Sequence, residues 1–346
     1  MRFIKYYIFT IIVLGGFFFI SIKETPQTSP HLFDKNNQAS DDVVRLLGLT
    51  GIRIKNDPLP PEQSWPEAKL TLKSRSLEEI TDAVQGKIDP NVAWKKTNTQ
   101  ERWQMKLAIP LSKDQLKNIQ DIGLNRLGLA QEINPKVKHY KGVLFLGSTL
   151  TSVRQRLAYL NKLIDSKNFT FYPVYVLSGE RTPDKAIGET QEALCDPNNG
   201  EIQFREDWKG PVDFPNNETD MIKVVFDQSK NLSLKNEDVI FVHTLKKEGQ
   251  IRATTETTVY QWLEQCRPEA GVYLAISNQP YVLYQEVVIQ ASLLKAGRRD
   301  IQVEVVGPAK SSKLQYKNQE RETAVLLDTL SRIFYEMVEI KKLSGK

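Results

Sequence analysis

The sequence predicts an α/β fold, a Rossmann-like three-layer sandwich with a mostly parallel sheet, preceded by a helical N-terminal region and one transmembrane helix. From Lys141 onward, short apolar runs alternate with helical patterns, which is typical of a parallel sheet covered on both faces. The apolar runs end in small or polar turns, and residues 6–22 carry no charged side chain. These observations predict both the sandwich and the membrane segment.

The uncharged run 6–22 is preceded by Arg2 and Lys5 and followed by Lys23. Its length is near the lower limit of roughly 17 to 25 residues for a membrane-spanning helix. Because no small-x-small site follows it, an uncleaved signal anchor (1–23) is favoured over a cleaved signal peptide, which would leave a secreted protein. The basic N-terminus predicts that this end is cytoplasmic and that the main domain lies on the other side of the membrane.

The next segment, 24–40, is polar and rich in Pro, Ser, Thr, Asn and Gln, which predicts a flexible linker. Residues 41–140 follow as a mainly helical region interrupted by prolines. Within it, Ser76 and Ser112 each precede a glutamate or glutamine three residues later, and this spacing predicts capped helix starts. Trp94 and Trp103 are interpreted as core or interface anchors.

The Rossmann-like domain is predicted to cover residues 141–310, and a C-terminal helix in 311–346 is predicted to pack on it. The predicted strands are Gly142–Leu146, Tyr172–Leu177, Asp238–Val242, Gly271–Ile276 and Ile301–Val306. The predicted helices are Val153–Asp165, Glu218–Gln228, Glu256–Gln265, Val282–Lys295 and Glu320–Ile340.

Composition excludes several function classes. The net charge of +5 includes the three basic residues around the anchor, and the rest shows no basic stripe, so no nucleic-acid partner is predicted. Cys195 and Cys266 are too few for a disulfide scaffold, and whether they pair is left open. The three histidines have no metal-ligand spacing, so no metal site is predicted.

The strand ends carry the candidate site, because ligands of open α/β sheets bind at the carboxyl ends of the strands. The polar residues at these ends are Gly147, Ser148, Ser178, Gly179, Glu180, Ser277 and Asn278. If Gly179 takes a positive φ, its turn and a following helix N-terminus would form a nest for a phosphate or carboxylate. The alternative is a plain turn.

Arg156 lies near the start of its helix, where a cation is disfavoured by the helix dipole unless an anion is nearby. It is preferred to Arg154 as the residue facing the site. Glu218 begins another helix, either as a cap or as an acceptor for sugar hydroxyls.

Thr254 and Thr255 cap the next helix or direct their hydroxyls to the same cleft. His243 is the histidine best placed for acid–base chemistry, although a structural role is favoured. Tyr281, Tyr284 and Gln285 recur at helical spacing on one face, which indicates packing more often than ligand stacking.

Residues 141 to 308 resemble the YdcF, SanA and ElyC group of bacterial proteins. The resemblance is carried by Leu146-Gly147-Ser148, Arg154 and Arg156, Ser178-Gly179, Glu218-Thr219, the threonines of 254–258, and Ser277. It implies a Rossmann-like domain outside the inner membrane and a role in envelope biogenesis and barrier function, with no agreed reaction.

The chain departs from the pattern of this group in several places. The S-G-G turn of the group reads Ser178-Gly179-Glu180, its S-E-A helix start reads Asn217-Glu218-Thr219, and threonines replace asparagines in 252–258. Members place a histidine and an arginine on the helix after Ser277, whereas this chain has no basic residue there before Lys295. Catalysis that depends on such a group is therefore doubtful.

Two functional classes remain open. In the first, the cleft binds an anionic, hydroxyl-rich molecule, nucleotide-like or sugar-phosphate, and acts on it or senses it. In the second, the domain is a non-catalytic interaction module with a vestigial cleft, and residues 41–138 dock an envelope protein. Whether a cofactor is bound is left open, and dinucleotide oxidoreduction is disfavoured because Gly147-Ser148-Thr149-Leu150 lacks the G-x-G-x-x-G pattern.

Overall fold

The computed structural model describes residues 32–34, 36, 38–52, 54, 75–95, 101–166, 168–171, 173–230, 234, 238–311 and 318–345. Within them, five parallel strands form one sheet in the order β5-β4-β2-β6-β7, and β1 pairs with β3 beside it. The strands are β1 His139–Tyr140, β2 Val143–Leu146, β3 Thr170–Phe171, β4 Val174–Gly179, β5 Val239–Thr244, β6 Gly271–Ile276 and β7 Ile301–Val306.

The described residues contain nine α-helices. They are α1 Asp41–Leu49, α2 Leu77–Val84, α3 Lys113–Gln120, α4 Leu150–Asp165, α5 Gln191–Cys195, α6 Glu218–Gln228, α7 Thr255–Cys266, α8 Val282–Lys295 and α9 Gln319–Ser344. Helix α3 continues into a π-helical turn at Asp121–Arg126, and short 3-10 turns occur at Pro90–Val92, Arg102–Gln104 and Lys185–Ile187.

The sheet has a separate apolar core on each face, because neighbouring residues of a strand point to opposite sides. Val143 and Phe145 of β2 pack with α4 and α6, whereas Leu144 and Leu146 pack with α7 and α8. All four residues are buried. The α/β core with a parallel sheet therefore agrees with the sequence prediction, and burial of both faces explains why its strands were recognisable as continuous apolar runs.

A third core joins the N-terminal helices to the far side of α8. Its residues come from α1, α2, the end of α3, one side of α9, and Val287 and Ala291 of α8. Phe33 packs edge-on against Phe334 of α9, with ring centroids 5.3 Å apart. Helix α9 thus lies between the N-terminal region and the layer that covers the sheet.

The capped helix starts predicted at Ser76 and Ser112 are confirmed. Each serine hydroxyl accepts a hydrogen bond from the backbone N–H three residues later, and the side chains of Glu79 and Gln115 accept one from the serine backbone N–H. The predicted bounds of α6, α8, β6 and β7 are also those of the structure.

The transmembrane helix of the predicted fold class is contradicted. Among the residues described, no helix combines the length and the apolar character needed to cross a bilayer, and the longest, α9, carries acidic and basic side chains. Residues 6–22, from which the anchor was predicted, lie outside the described residues.

The flexible linker predicted for residues 24–40 also differs from the structure at its C-terminal end. Leu32, Phe33 and Ala39 are buried in the third core, and Ser40 caps α1 through a hydrogen bond from the Val43 N–H. The few apolar side chains of this polar segment hold it against the core. The average composition of the segment does not reveal these contacts. Residues 24–31 lie outside the described residues.

Candidate anion-binding site

A cavity of about 230 Å³ lies at the carboxyl ends of the central strands. The chain runs from β2 outward to β4 and β5 and then returns to the other side of β2 for β6 and β7. Such a reversal leaves a crevice above the sheet, where open α/β proteins bind ligands. We call this cavity the arginine cleft, after the arginines described below.

Seven of the residues predicted for the site line the arginine cleft. They are Gly147, Ser148, Arg156, Gly179, Glu218, Thr254 and Thr255. The convergence of loops from β2 and β4 with the starts of α6 and α7 brings them together.

Ser178, Glu180, Ser277 and Asn278 do not line the cleft. Ser178 points to the opposite face of the sheet, as expected for the neighbour of the cleft residues Leu177 and Gly179, and its Oγ lies 2.8 Å from Thr219 Oγ1. Ser277 is fully buried, and its Oγ has no hydrogen-bond partner among the described residues. The Glu180 carboxylate instead accepts the Lys246 N–H at 3.0 Å.

Asn278 acts through Arg156. Its Oδ1 accepts hydrogen bonds from Arg156 Nε at 2.9 Å and from Nη2 at 2.6 Å, while Nη1 donates to the Leu146 and Gly147 carbonyls. These bonds fix the guanidinium in the floor of the cleft and leave one N–H of Nη2 unused.

The Arg156 guanidinium is an uncompensated buried cation. Arg156 is only 2% exposed, and no carboxylate of the described residues lies within ion-pairing distance of it. Burial lowers its pKa to about 10, against the opposing effect of Glu218 at longer range. A buried charge without a counter-charge costs several kcal/mol of solvation, and an anionic ligand would offset part of that cost.

Four further arginines line the cleft and were missed by the sequence reasoning. They are Arg102, Arg181, Arg252 and Arg332. Arg102 and Arg332 lie outside the predicted Rossmann-like domain. Nothing in the sequence distinguishes a single arginine that lines a cleft from one on the surface. Arg181 and Arg252 had local signals, since Arg181 follows the predicted Ser178-Gly179-Glu180 turn and Arg252 begins the segment 252–258.

Arg181 is held by two carboxylates. Nη1 and Nη2 donate to Glu189 at 2.6 and 2.7 Å, and Nε donates to Glu218 at 2.7 Å. Burial acts to lower the pKa of Arg181, but the two carboxylates outweigh it and raise the pKa above its ordinary value. Arg181 therefore positions Glu218 at the cleft wall.

Glu189 also corrects the predicted anion nest. Its Oε1 accepts the Leu150 N–H at 3.1 Å, so this buried carboxylate occupies the N-terminus of α4. Gly179 does not have a positive φ; it is the last residue of β4. It is glycine because a Cβ there would lie 2.8 Å from the Cβ of Ala253, in the loop that forms the opposite wall.

Arg102 and Arg332 share one buried carboxylate. Arg332 Nε donates to Asp328 Oδ2 at 2.9 Å, whereas Arg102 Nε is 3.9 Å from the same oxygen and has no hydrogen-bond partner among the described residues. The Arg102 guanidinium lies 4.3 Å from the centroid of the Tyr281 ring, in a cation–π contact. Arg102 thus brings a guanidinium to the start of α8, a helix that has no basic residue of its own before Lys295.

The cleft has an excess of positive charge. Its described lining contains five arginines and the single carboxylate of Glu218. Arg252 Nη1 lies 3.4 Å from Glu101 Oε2. Glu101, Glu189, Asp328 and Glu218 together provide four carboxylates for the five arginines, so one guanidinium has no matching carboxylate.

Uncharged polar groups complete the wall. Thr255 Oγ1 donates to Gln285 Oε1 at 3.0 Å, and Tyr281, Tyr284 and Gln285 line the cleft as well as packing. His243 is exposed and away from the cleft, with Nδ1 2.7 Å from Thr219 Oγ1. Its predicted acid–base role thus has no support from its position.

The structure also bears on the cysteines and on metal binding. Both cysteines are free thiols in the structure, so they do not pair with each other. The described residues contain no group of three or more His, Cys, Asp or Glu side chains arranged to hold a metal ion.

No known protein-family model, curated protein or solved structure matches this chain. The resemblance to the YdcF, SanA and ElyC group therefore stays a prediction from the sequence.

Proposed function

We propose that the arginine cleft binds an anionic, hydroxyl-bearing small molecule of the nucleotide or sugar-phosphate class. The observation that carries the proposal is Arg156, a fully buried guanidinium that lines the cleft without a carboxylate partner. Guanidinium groups match phosphate and carboxylate oxygens in charge and in the geometry of their N–H groups. An anion at this position would use the free N–H and offset the buried charge.

The other arginines divide into two roles. Arg181 and Arg332 are neutralised by close carboxylates and support the wall. Arg102 and Arg252 have only longer ion-pair contacts, 3.9 and 3.4 Å, and their guanidinium groups retain donors for a ligand. Together with Arg156 they favour a group that carries more than one negatively charged oxygen, such as a phosphate or diphosphate.

The hydroxyl-binding part of the proposal rests on Glu218 and the α7 threonines. Glu218 Oε2 is engaged by Arg181, whereas Oε1 is not used in a hydrogen bond to the described residues. A carboxylate held rigidly at a cleft wall is a suitable acceptor for the hydroxyls of a ribose or another sugar. The setting in envelope biogenesis or barrier maintenance remains a proposal that rests on the sequence resemblance alone.

Isothermal titration calorimetry of the full chain with pyrophosphate and ribose 5-phosphate tests the proposal, with neutral ribose for comparison. We expect the phosphates to bind and ribose to bind far more weakly. Arg156→Gln should weaken phosphate binding at least tenfold, because it removes the uncompensated charge. Arg45→Gln, the same change at an exposed position of α1, should leave binding unchanged.

Equal phosphate affinities in Arg156→Gln and in the unmodified chain would reject the cleft as the anion site. If none of the phosphates binds the unmodified chain, the proposal fails and the alternative, an interaction module with a vestigial cleft, is preferred.

A further inference from the structure

A second and larger cavity adjoins the arginine cleft. Its volume is about 620 Å³, and the two cavities share lining residues, which are Arg102, Ser148, Thr149, Arg252 and Tyr281. It is bounded by the 3-10 turns Arg102–Gln104 and Lys185–Ile187 and by the first turns of α4 and α9. A ligand whose anionic group lies in the cleft can therefore extend into this second cavity without leaving the protein.

The lining of the second cavity differs in character from the cleft. Apolar atoms contribute most of its exposed surface, and Trp103, Ile187, Tyr281, Val325 and Leu326 lie among polar and charged residues. Trp103 is held in place because its Nε1 donates to Asp184 at 2.8 Å. A fixed aromatic side chain beside an open space is a suitable stacking platform for a planar ring.

Two residues that line this cavity also have buried polar atoms without hydrogen-bond partners. Gln279 is 2% exposed, and its Oε1 has no hydrogen-bond partner among the described residues, although its Nε2 donates to the Gln131 carbonyl. Arg321 Nε is likewise buried without a partner. Buried polar groups are nearly always hydrogen-bonded in native proteins, so an unpaired acceptor and an unpaired donor around one cavity point to a ligand with both functions.

We infer that the ligand is a nucleotide, with its phosphate in the arginine cleft and its base in the second cavity. This inference rests on the proposed function and adds to it the class of the organic group. A nucleobase is planar and apolar on its faces and carries donors and acceptors along its edge, which matches the aromatic platform and the unpaired polar atoms. A simple sugar phosphate would leave the apolar cavity unfilled, and an aliphatic chain would leave Gln279 Oε1 unpaired.

The test compares ribose 5-phosphate with the four common nucleoside 5′-monophosphates on the full chain by calorimetry. We expect at least one nucleotide to bind ten- to one-hundredfold more tightly than ribose 5-phosphate, the range that base stacking on an aromatic side chain provides. Trp103→Leu removes the platform, and Ala186→Trp adds bulk at the exposed rim of the second cavity. Each change should abolish this gain while leaving the affinity for ribose 5-phosphate within about twofold.

The outcomes separate this inference from the proposed function. If ribose 5-phosphate binds but no nucleotide binds more tightly, the nucleotide assignment is overturned and the anion site stands. If the gain persists in both variants, the placement of the base in the second cavity is overturned. If neither ribose 5-phosphate nor any nucleotide binds, the proposed function itself fails. Circular dichroism spectra and melting temperatures of Trp103→Leu and Ala186→Trp that match the unmodified chain show that any loss is not due to unfolding.

Discussion

The Asn278 side-chain oxygen accepts two hydrogen bonds from Arg156, from Nε at 2.9 Å and from Nη2 at 2.6 Å. An amide oxygen fixes the direction of the guanidinium without neutralising it. An aspartate in the same place would do both, so the residue type at position 278 controls the charge that the cleft offers to a ligand.

Asn278→Asp should therefore weaken phosphate binding. The new carboxylate would form a bidentate ion pair with Arg156 and remove its need for an external anion. We expect at least a tenfold loss of pyrophosphate affinity by calorimetry, together with equal or higher thermal stability. Asn168→Asp adds the same charge at an exposed position and serves as the control. Unaltered affinity in Asn278→Asp would show that Arg156 does not contact the anion.

Gly147→Ala should lower the stability of the protein. A Cβ at position 147 would collide with the Glu218 carboxylate and lie 3.1 Å from the Leu177 carbonyl oxygen. Overpacking of this kind costs about 1–3 kcal/mol, which lowers the melting temperature by about 2–4 °C per kcal/mol. Differential scanning calorimetry measures the decrease in melting temperature. Gly345→Ala is the matched control, because the nearest atom to a Cβ there, the Lys341 carbonyl oxygen, is 3.7 Å away. A melting temperature as high as that of Gly345→Ala would contradict the close approach of Glu218 to β2.

Glu189→Gln should be among the most destabilising single changes at the site. It leaves Arg181 with Glu218 as its remaining close carboxylate and removes the anion at the α4 N-terminus. Removing one partner of a buried ion pair lowers the free energy of unfolding by about 3–5 kcal/mol, which chemical denaturation can measure. The exposed Glu248→Gln should have little effect. A loss below about 1 kcal/mol would mean that Glu189 does not carry this pairing role.

Stability should fall as the pH rises from about 4.5 to 7, because of Glu286 in α8. Burial raises its pKa to about 7 from the ordinary 4.5, with Lys136 opposing the shift and Glu304 adding to it. Within this window the folded protein keeps a proton that the unfolded chain has lost, so each pH increment favours unfolding. Above pH 7 the contribution of this group is constant.

Glu286→Gln should make that slope shallower and raise the melting temperature at pH 8 relative to the unmodified chain. Glu336, whose pKa burial likewise raises to about 7, keeps part of the slope in the variant. Melting curves at pH 5 and pH 8 measure the difference, with the exposed Glu264→Gln as control. Parallel pH profiles for Glu286→Gln and the unmodified chain would rule out a titrating Glu286.

The secondary structure of the α/β core could be predicted because its signals are local. Strands buried on both faces appear as continuous apolar runs, and β6 and β7 begin and end where those runs do. The capping serines at positions 76 and 112 predicted the starts of α2 and α3 for the same reason, since a cap and its partner lie three residues apart.

The sequence by itself determined the α/β pattern and the edge of the sheet at which a cleft would form. Both follow from hydrophobic periodicity and from turn-forming residues, which are properties of neighbouring positions in the chain. The tertiary structure decided which side chains enter that cleft. Ser178 turns to the other face because strand residues alternate, and Asn278 supports Arg156 from behind. Arg102 and Arg332 reach the cleft only because the N-terminal region and α9 pack beside α8, and contacts between segments so distant in the chain leave no local signal.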